Sequence, residues 1–342
     1  MITIKGIAEL AGVSPTTVSN VLNGREQKMS PETLDRVRTV LADTDYVSNM
    51  AGRLLANHGS RIIGVIMLNA RRDEKNAIQD PFLSEIIGAL EHEIRINGYF
   101  MMLYTAASVE ESLRMAGAWN VEGLIVLGSN AEDSQKFMSS KEIPLVFIDS
   151  YFHDDGYPYV NVGLDDYRGG YLMADYLASL GHRRIAFLAD AEVPEGVDYE
   201  RLEGCKAALA EHDVPFDESD FIHIDSHYKK RHETLSAFVR SRLGEYTALF
   251  FASDFYAVDS INLFADEGIR IPTDVSVAGF DDNIYAIQVR PRLTTVHQDV
   301  SQKAAHSVQQ VLKVIRKEET VPRDVRLPVS LRVRDSVRAP SS

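Results

Sequence analysis

Residues 3–24 read TIKGIAELAGVSPTTVSNVLNG. Thr3 is placed to cap a helix from Ile4 to about Ala11, with Ile7, Leu10 and Ala11 on one apolar face at helical spacing. Gly12 stands where a left-handed C-cap is wanted. Ser14 then caps a second helix and Pro15 takes its first position, where a missing N–H costs nothing. That helix carries Val18, Val21 and Leu22 and stops at Asn23-Gly24. A second Ser-Pro pair, Ser30-Pro31, opens a third helix with Leu34, Val37, Val40 and Leu41 inward. Two short helices joined by a Gly-containing turn and closed by a third make the helix-turn-helix plan. In that plan the second helix enters the major groove of DNA. Its outward residues Pro15, Thr16, Thr17, Ser19 and Asn20, with Thr3, Ser14 and Asn23 at the helix ends, are the candidate base and phosphate contacts. Spacing alone also allows a small helical cap with no DNA role.

Charge does not announce a nucleic-acid binder. The chain of 342 residues has a net charge of −14. Residues 1–60 are neutral, with six Lys/Arg against six Asp/Glu, so the whole acidic excess lies beyond them. DNA contact there must rest on a local cluster rather than on bulk attraction. The length calls for two or three domains. Cys205 is the only cysteine, which excludes an intrachain disulfide and a multi-cysteine metal site and fits a reducing compartment. No apolar run reaches the ~18–20 residues of a membrane helix. MITIKGIAEL lacks a signal-peptide core. The expectation is a cytoplasmic protein with no membrane partner.

Beyond residue 60, short apolar runs recur: Ile62–Met67, Phe100–Tyr104, Leu124–Leu127, Leu145–Ile148, Tyr159–Val162, Ile185–Leu188, Phe221–Ile224, Leu249–Ala252 and Val275–Ala278. Helical patterns over 82–97, 108–118, 166–180, 201–213, 232–243 and 255–267 lie between most of them. This alternation predicts an α/β fold of doubly wound parallel sheets, and the break near Asp154–Pro158 divides it into two lobes. Ligands in such folds bind beyond the carboxyl ends of the strands. The residues there are Asn69, Thr105, Ser129, Asp149, Asp190, Asp225, Ser253-Asp254 and Asp281-Asp282. Carboxylates are strong acceptors for sugar hydroxyls, and Phe82, Tyr151, Phe152, Phe255 and Tyr256 are near enough in sequence to cover a sugar's apolar face. Singly, each of these is as well explained as a helix cap or core residue.

Residues 3–24 resemble the DNA-binding headpiece of the lactose repressor family, most closely from Ala8 to Gly24 through Ala-Gly-Val-Ser, Thr-Val-Ser and Leu-Asn-Gly. The resemblance extends to NMAGRLLANHGS (49–60), similar to the family's hinge helix, and implies that Leu55 wedges into the minor groove at the operator centre. GHRRIAFLA (181–189), Arg201–Gly204, DVSVAGFDD (274–282), RPRLTTVHQ (290–298) and LRVRDS (331–336) resemble the family's periplasmic-binding-protein-like core. It implies effector contacts at Arg201 and Asp254, with Asp149 a third; Phe82, Asn69, Phe255 and Asp281 complete the candidate set, and His182 matches as a structural residue. The implied layout is a headpiece (1–48), a hinge helix (49–60) and a core (61–337). Within the core, the first lobe is expected at about 61–161 and 291–320, the second at about 162–290 and 321–337. Three positions depart from the pattern: Gly6 where relatives carry an acid, Asn20 where many carry arginine, and Gly52 in the hinge. Glycine costs a helix roughly 1 kcal/mol relative to alanine, so a marginal hinge helix is expected. ARRDEKNAIQD (70–80) is longer and more charged than usual: a solvated loop, or an effector-selecting one.

These features together imply a homodimeric transcriptional repressor on a pseudo-palindromic operator, switched by a small molecule of the carbohydrate class, without a cofactor. Two other readings remain: the same family under a phosphoprotein coeffector, and a solute-binding protein with no regulatory role. An enzyme is not indicated, since P-loop, nucleophile-elbow, zinc-protease and dinucleotide fingerprints are all missing from the sequence.

Overall fold

The structure is a computed structural model and describes residues 2–22, 27, 29–44, 46, 59–68, 77–140, 143–151, 159–318 and 322–340. The chain forms two units, 1–60 and 61–342.

In the first unit, α1 (Ile4–Ala11), α2 (Pro15–Leu22) and α3 (Pro31–Asp43) enclose Ile7, Ala8, Ala11, Val18, Val21 and Val37. Thr3 Oγ1 accepts from Gly6 N at 3.2 Å, and Gly12 ends α1 at φ 63°. Ser14 and Ser30 cap the next two helices through the backbone N–H of Thr17 and Thr33. One expectation fails. Leu10 is 62% exposed, and Ala8 takes the buried place assigned to it. On an eight-residue helix held by small neighbours, the contact stripe runs through Ile7, Ala8 and Ala11, one step away from Leu10.

Among the described residues, the second unit holds two six-stranded sheets. The first is built from β1 (Ile62–Leu68), β2 (Phe100–Ala106), β3 (Gly123–Leu127), β4 (Leu145–Ile148), β5 (Asn161–Leu164) and β11 (Asp324–Leu327), in the order β11-β5-β4-β3-β1-β2 and parallel throughout. The second contains β6 (Ile185–Ala189), β7 (Phe221–His223), β8 (Ala248–Phe251), β9 (Ser276–Asp281), β10 (Thr294–His297) and β12 (Ser330–Arg332), in the order β12-β10-β9-β8-β6-β7. Only β12 runs antiparallel there. Strands such as IIGVIML are apolar without alternation because helices cover both faces. Those helices are α4 (Pro81–Ile96), α5 (Val109–Ala118) and α6 (Ala131–Ser139) around the first sheet. Around the second are α7 (Asp166–Ser179), α8 (Gly196–Glu211), α9 (Tyr228–Ser241), α10 (Asp254–Asp266) and α11 (Ile284–Gln288). α12 (Val300–Ile315) returns to the first lobe, against α4, β3, β4 and β5.

The lobe boundaries differ from expectation. β5 pairs with β4 and β11, so the first crossover comes at Asp165, not at 162. β10 pairs with β9, which places 291–297 in the second lobe and the second crossover just before α12. β11 belongs to the first sheet, so the third crossover follows Leu327. Sheet pairing decides these points, and β10 and the edge strands β11 and β12 lie outside the nine apolar runs.

Candidate functional site

Two places carry chemistry. The first is α2. Pro15 and Thr16 are exposed on it, while Thr17, Ser19 and Asn20 are half-buried. The hydroxyls of Ser14 and Thr17 share a hydrogen bond of 2.9 Å, and Val18 and Val21 anchor the opposite side. Asn23, Gly52 and Leu55 lie outside the described residues, as do Asn69, Phe152 and residues 70–76 of the charged stretch.

The second is a cavity of about 250 Å³ between the lobes, at the carboxyl ends of the strands. Its wall includes Phe82, Asp149, Arg201 and Asp281 from the expected set, together with Asp80, Asp190, Asp198, Tyr256 and Gln298. A mouth chamber of about 470 Å³ shares Gly128, Asp149 and Val197 with it and adds Tyr151 and Tyr199.

Arg201 reaches the cavity because α7 and α8 touch backbone to backbone. A Cβ at Gly170 would sit 1.9 Å from Arg201 O, and one at Gly204 would sit 1.9 Å from Tyr167 O. Only glycine at both places permits that approach. The guanidinium, 5% exposed, is held by three groups. Nε donates to Asp166 at 2.8 Å, Nη1 to Ala252 O at 2.6 Å, and the plane stacks over Phe280 at 3.6 Å. Two of its five N–H groups are thereby used; the other three have no partner among the described residues.

Asp149 ends β4 at φ 54°, and Asp281 ends β9 at φ 124°. Positive φ costs energy away from glycine, and aspartate bears it better than most. Behind them lies Lys303 of α12, 0% exposed. Its Nζ donates to Asp149 at 2.7 and 2.9 Å and to Gln298 Oε1 at 2.8 Å, and lies 5.0 Å from the Phe82 ring. Gln298 Nε2 donates to Asp281 at 2.7 Å, and Ser253 Oγ donates to its other oxygen at 3.2 Å. One polar chain therefore runs from the first lobe, through the crossover, to the second. Burial pushes the Asp281 carboxyl up to about 7, against the pull of Arg201. Burial also pushes Asp198 up to about 7, opposed by Arg201 and reinforced by Asp190, Asp166 and Asp281.

Two expected contacts are corrected. Asp254 is 0% exposed and is not on the cavity wall. Its oxygens accept from Thr295 Oγ1 at 2.6 Å and Asn283 N at 3.2 Å, so it fastens α10 to β10 and the start of α11. Burial, with Asp281 beside it, raises its carboxyl well above the usual range. Phe255 is also off the wall; it packs on the second lobe's core, with the Arg231 guanidinium 5.5 Å from its ring. Its neighbour Tyr256 lines the cavity instead and donates its hydroxyl to Asp190. His182 is spent on structure: its ring nitrogens meet Thr247 Oγ1 at 2.8 Å and Arg338 O at 2.9 Å. Lys303 and Gln298 are not legible in the sequence, for nothing in a helix pattern marks a lysine as buried. Asp198 had a signal available, three residues before Arg201 on the same helix face.

Residues 3–49 match the family of bacterial regulatory proteins of the lacI type, and residues 174–337 match the periplasmic binding protein-like domain. The HTH-type transcriptional repressor PurR of Vibrio atlanticus (strain LGP32) is 30% identical over 305 residues, covering 87% of each chain. The chain belongs to the LacI family. The lac repressor dimer bound to operator and the anti-inducer ONPF superimposes on this LacI-family chain with a TM-score of 0.83, at 25% identity over 99% of both chains. The complex of the regulator CelR with cellobiose gives 0.72, at 26% identity over 98% of this chain and 100% of that one. This LacI-family chain is thus a transcriptional regulator with a helix-turn-helix headpiece, and not an enzyme. None of its described helices is long and apolar enough to cross a membrane.

Proposed function

We propose that this regulator is a homodimeric repressor whose hold on operator DNA is set by a small polyhydroxyl effector bound between the lobes of its core. The observation that carries this reading is Arg201: a guanidinium buried at the cavity wall, fixed on two sides and keeping three N–H groups for a ligand. Spare charged donors facing the cavity are met best by oxygen acceptors, so the site favours an oxygen-rich guest. Asp149 and Asp281 supply acceptors from opposite lobes, joined through Lys303 and Gln298. A ligand that touches both lobes acts through the difference in its affinity for their two arrangements. The two chambers together fall in the size range of small-molecule sites. Exposed Ile284, Tyr285 and Ile287 on α11 supply an apolar patch suited to a second copy of the chain. On the DNA side, Thr16, Thr17 and Asn20 are the proposed base-reading residues; asparagine pairs with adenine in the major groove.

Thermal unfolding against a panel of mono- and disaccharides tests the effector reading. A ligand at about 100 times its Kd adds about 2.7 kcal/mol, which moves the transition by several degrees. The shift is expected with one sugar class and should vanish in Arg201→Ala. Shifts that survive Arg201→Ala, or a panel with none, would overturn it.

A further inference from the structure

The cavity is far more acidic than hydroxyl recognition requires. Asp80, Asp149, Asp190, Asp198 and Asp281 all line it. Among the described residues two cations stand near, and both are already engaged: Lys303 with Asp149 at 2.7 Å, and Arg201 with Asp166 at 2.8 Å. Asp80 spends one oxygen on the first turn of α4, accepting from Phe82 N and Leu83 N. Asp190, Asp198 and Asp281 line the cavity without a direct ion pair of their own among the described residues, with Arg201 acting on the last two from further off. Asp190 accepts from the Tyr256 hydroxyl, and Asp281 from Gln298 and Ser253. Asp198 is half-buried on the first turn of α8 and receives no hydrogen bond among the described residues. Carboxylates crowded out of water raise one another's free energy, and a cation among them relieves it. Burial, first, and neighbouring carboxylates, second, raise Asp198 and Asp281 to about 7, against the pull of Arg201.

A bare metal ion does not answer this arrangement. Among the described residues no group of three His, Cys, Asp or Glu side chains converges closely enough to ligate one. The carboxylates are spread around a cavity of organic size whose remaining wall is apolar, through Phe82, Leu83 and Val197. A plain alkylamine does not answer it either, because the Arg201 guanidinium, 5% exposed and on the same wall, keeps three N–H groups that need oxygen acceptors.

We propose that the effector is an amino sugar: a hexose-sized polyol with a free ammonium group, its ammonium beside Asp198 and its hydroxyls on Arg201. This rests on the effector cleft proposed above and narrows its ligand to a cation.

The test is isothermal titration of the full-length protein at pH 7.5 with glucosamine, galactosamine and mannosamine, each beside its N-acetyl form and its parent hexose. One free amine is expected to bind at least about tenfold more tightly than both of its neutral counterparts. Asp198→Asn, verified as folded by its melting curve, should reduce that amine-to-hexose ratio at least about fivefold. Asp198→Glu, which restores the charge, should recover much of it. A neutral hexose or N-acetyl sugar that binds as well as the amine, and needs Arg201, would overturn the amino-sugar assignment while leaving the effector cleft intact. An amine-to-hexose ratio unchanged by Asp198→Asn would overturn that assignment too. Failure of every amine and every neutral sugar to bind would overturn both.

Discussion

Replacing Lys303 with methionine is the sharpest test of the polar chain beneath the cavity. The methionine keeps nearly the volume and the flexible stem but removes the ammonium. In the native protein that ammonium, 0% exposed, lies 2.7 Å from Asp149 and 2.8 Å from Gln298. Taking one member from a buried ion pair leaves an uncompensated buried charge, a loss of about 3–5 kcal/mol. At a urea slope of about 3 kcal/mol/M, the unfolding midpoint should fall by about 1–1.7 M. The pH dependence identifies the cause. Burial already raises the Asp149 carboxyl, and Lys303 holds it down. Without Lys303 its folded pKa rises further above the unfolded value. A raised acid penalises the fold only when it must ionise, so the loss should be small near pH 4 and grow as pH climbs through the raised pKa. Replacing Asp149 with asparagine in the same chain should recover a large part of the loss at pH 7.5. Urea unfolding followed by circular dichroism at pH 5 and 7.5 reads all of this. If the single variant unfolds within about 0.5 M of wild type at pH 7.5, or loses equal stability at both pH values, the buried pair does not stabilise the fold in this way.

Other outcomes follow from the same geometry. Gly204→Ala places a methyl 1.9 Å from Tyr167 O, so α7 and α8 must separate; a loss of about 2–3 kcal/mol or more is expected, with sugar binding weakened because Arg201 moves with α8. In the ligand-free protein, Asp281 and Asp198 both rise to about 7 through burial, facing Asp80, Asp166, Asp190, Arg201 and Lys303. Their ionisation opposes folding, so the melting temperature should fall from pH 5.5 to pH 8, and Asp281→Asn should flatten that slope; an unchanged slope in the variant would count against it. In the headpiece, Ile7→Ala should cost about 2–5 kcal/mol and strip hydrogen-exchange protection from residues 4–22, while Leu10→Ala, at an exposed position, should leave it within about 0.5 kcal/mol. Asp254→Asn should lower the melting temperature by loosening the joint with Thr295, yet leave the amine-to-hexose preference alone, since Asp254 is off the cavity wall.

Local chemistry made much of this chain readable from sequence. Thr3, Ser14 and Ser30 caps, the Gly12 stop and the Val18–Val21 stripe act within a few residues, so the three-helix headpiece is written in residues 3–43. The alternation of short apolar runs with helical patterns likewise pointed to an α/β core of two parallel-sheet lobes, because a strand covered on both faces needs an unbroken apolar run. α12 escaped for the converse reason. Lys303, Ser307 and Gln310 are buried in it, and a stripe interrupted by polar residues does not look like an inner face. Crossover points were misplaced by a few residues because sheet membership depends on which distant strand each short segment pairs with.

The sequence could place aspartates at the strand ends but could not say which of them face a ligand. Asp254 and Asp281 both follow strands of the second sheet, and both are buried. Tertiary packing turned the first inward, onto Thr295 and Asn283, and the second outward, onto the cavity with Gln298 and Arg201 beside it. The charge of the cleft was settled in the same way. Lys303 stands 154 residues from Asp149, and only the folded chain brings its ammonium behind that carboxylate. Electrostatics acts through distance in space, and that distance is what the linear chain does not contain.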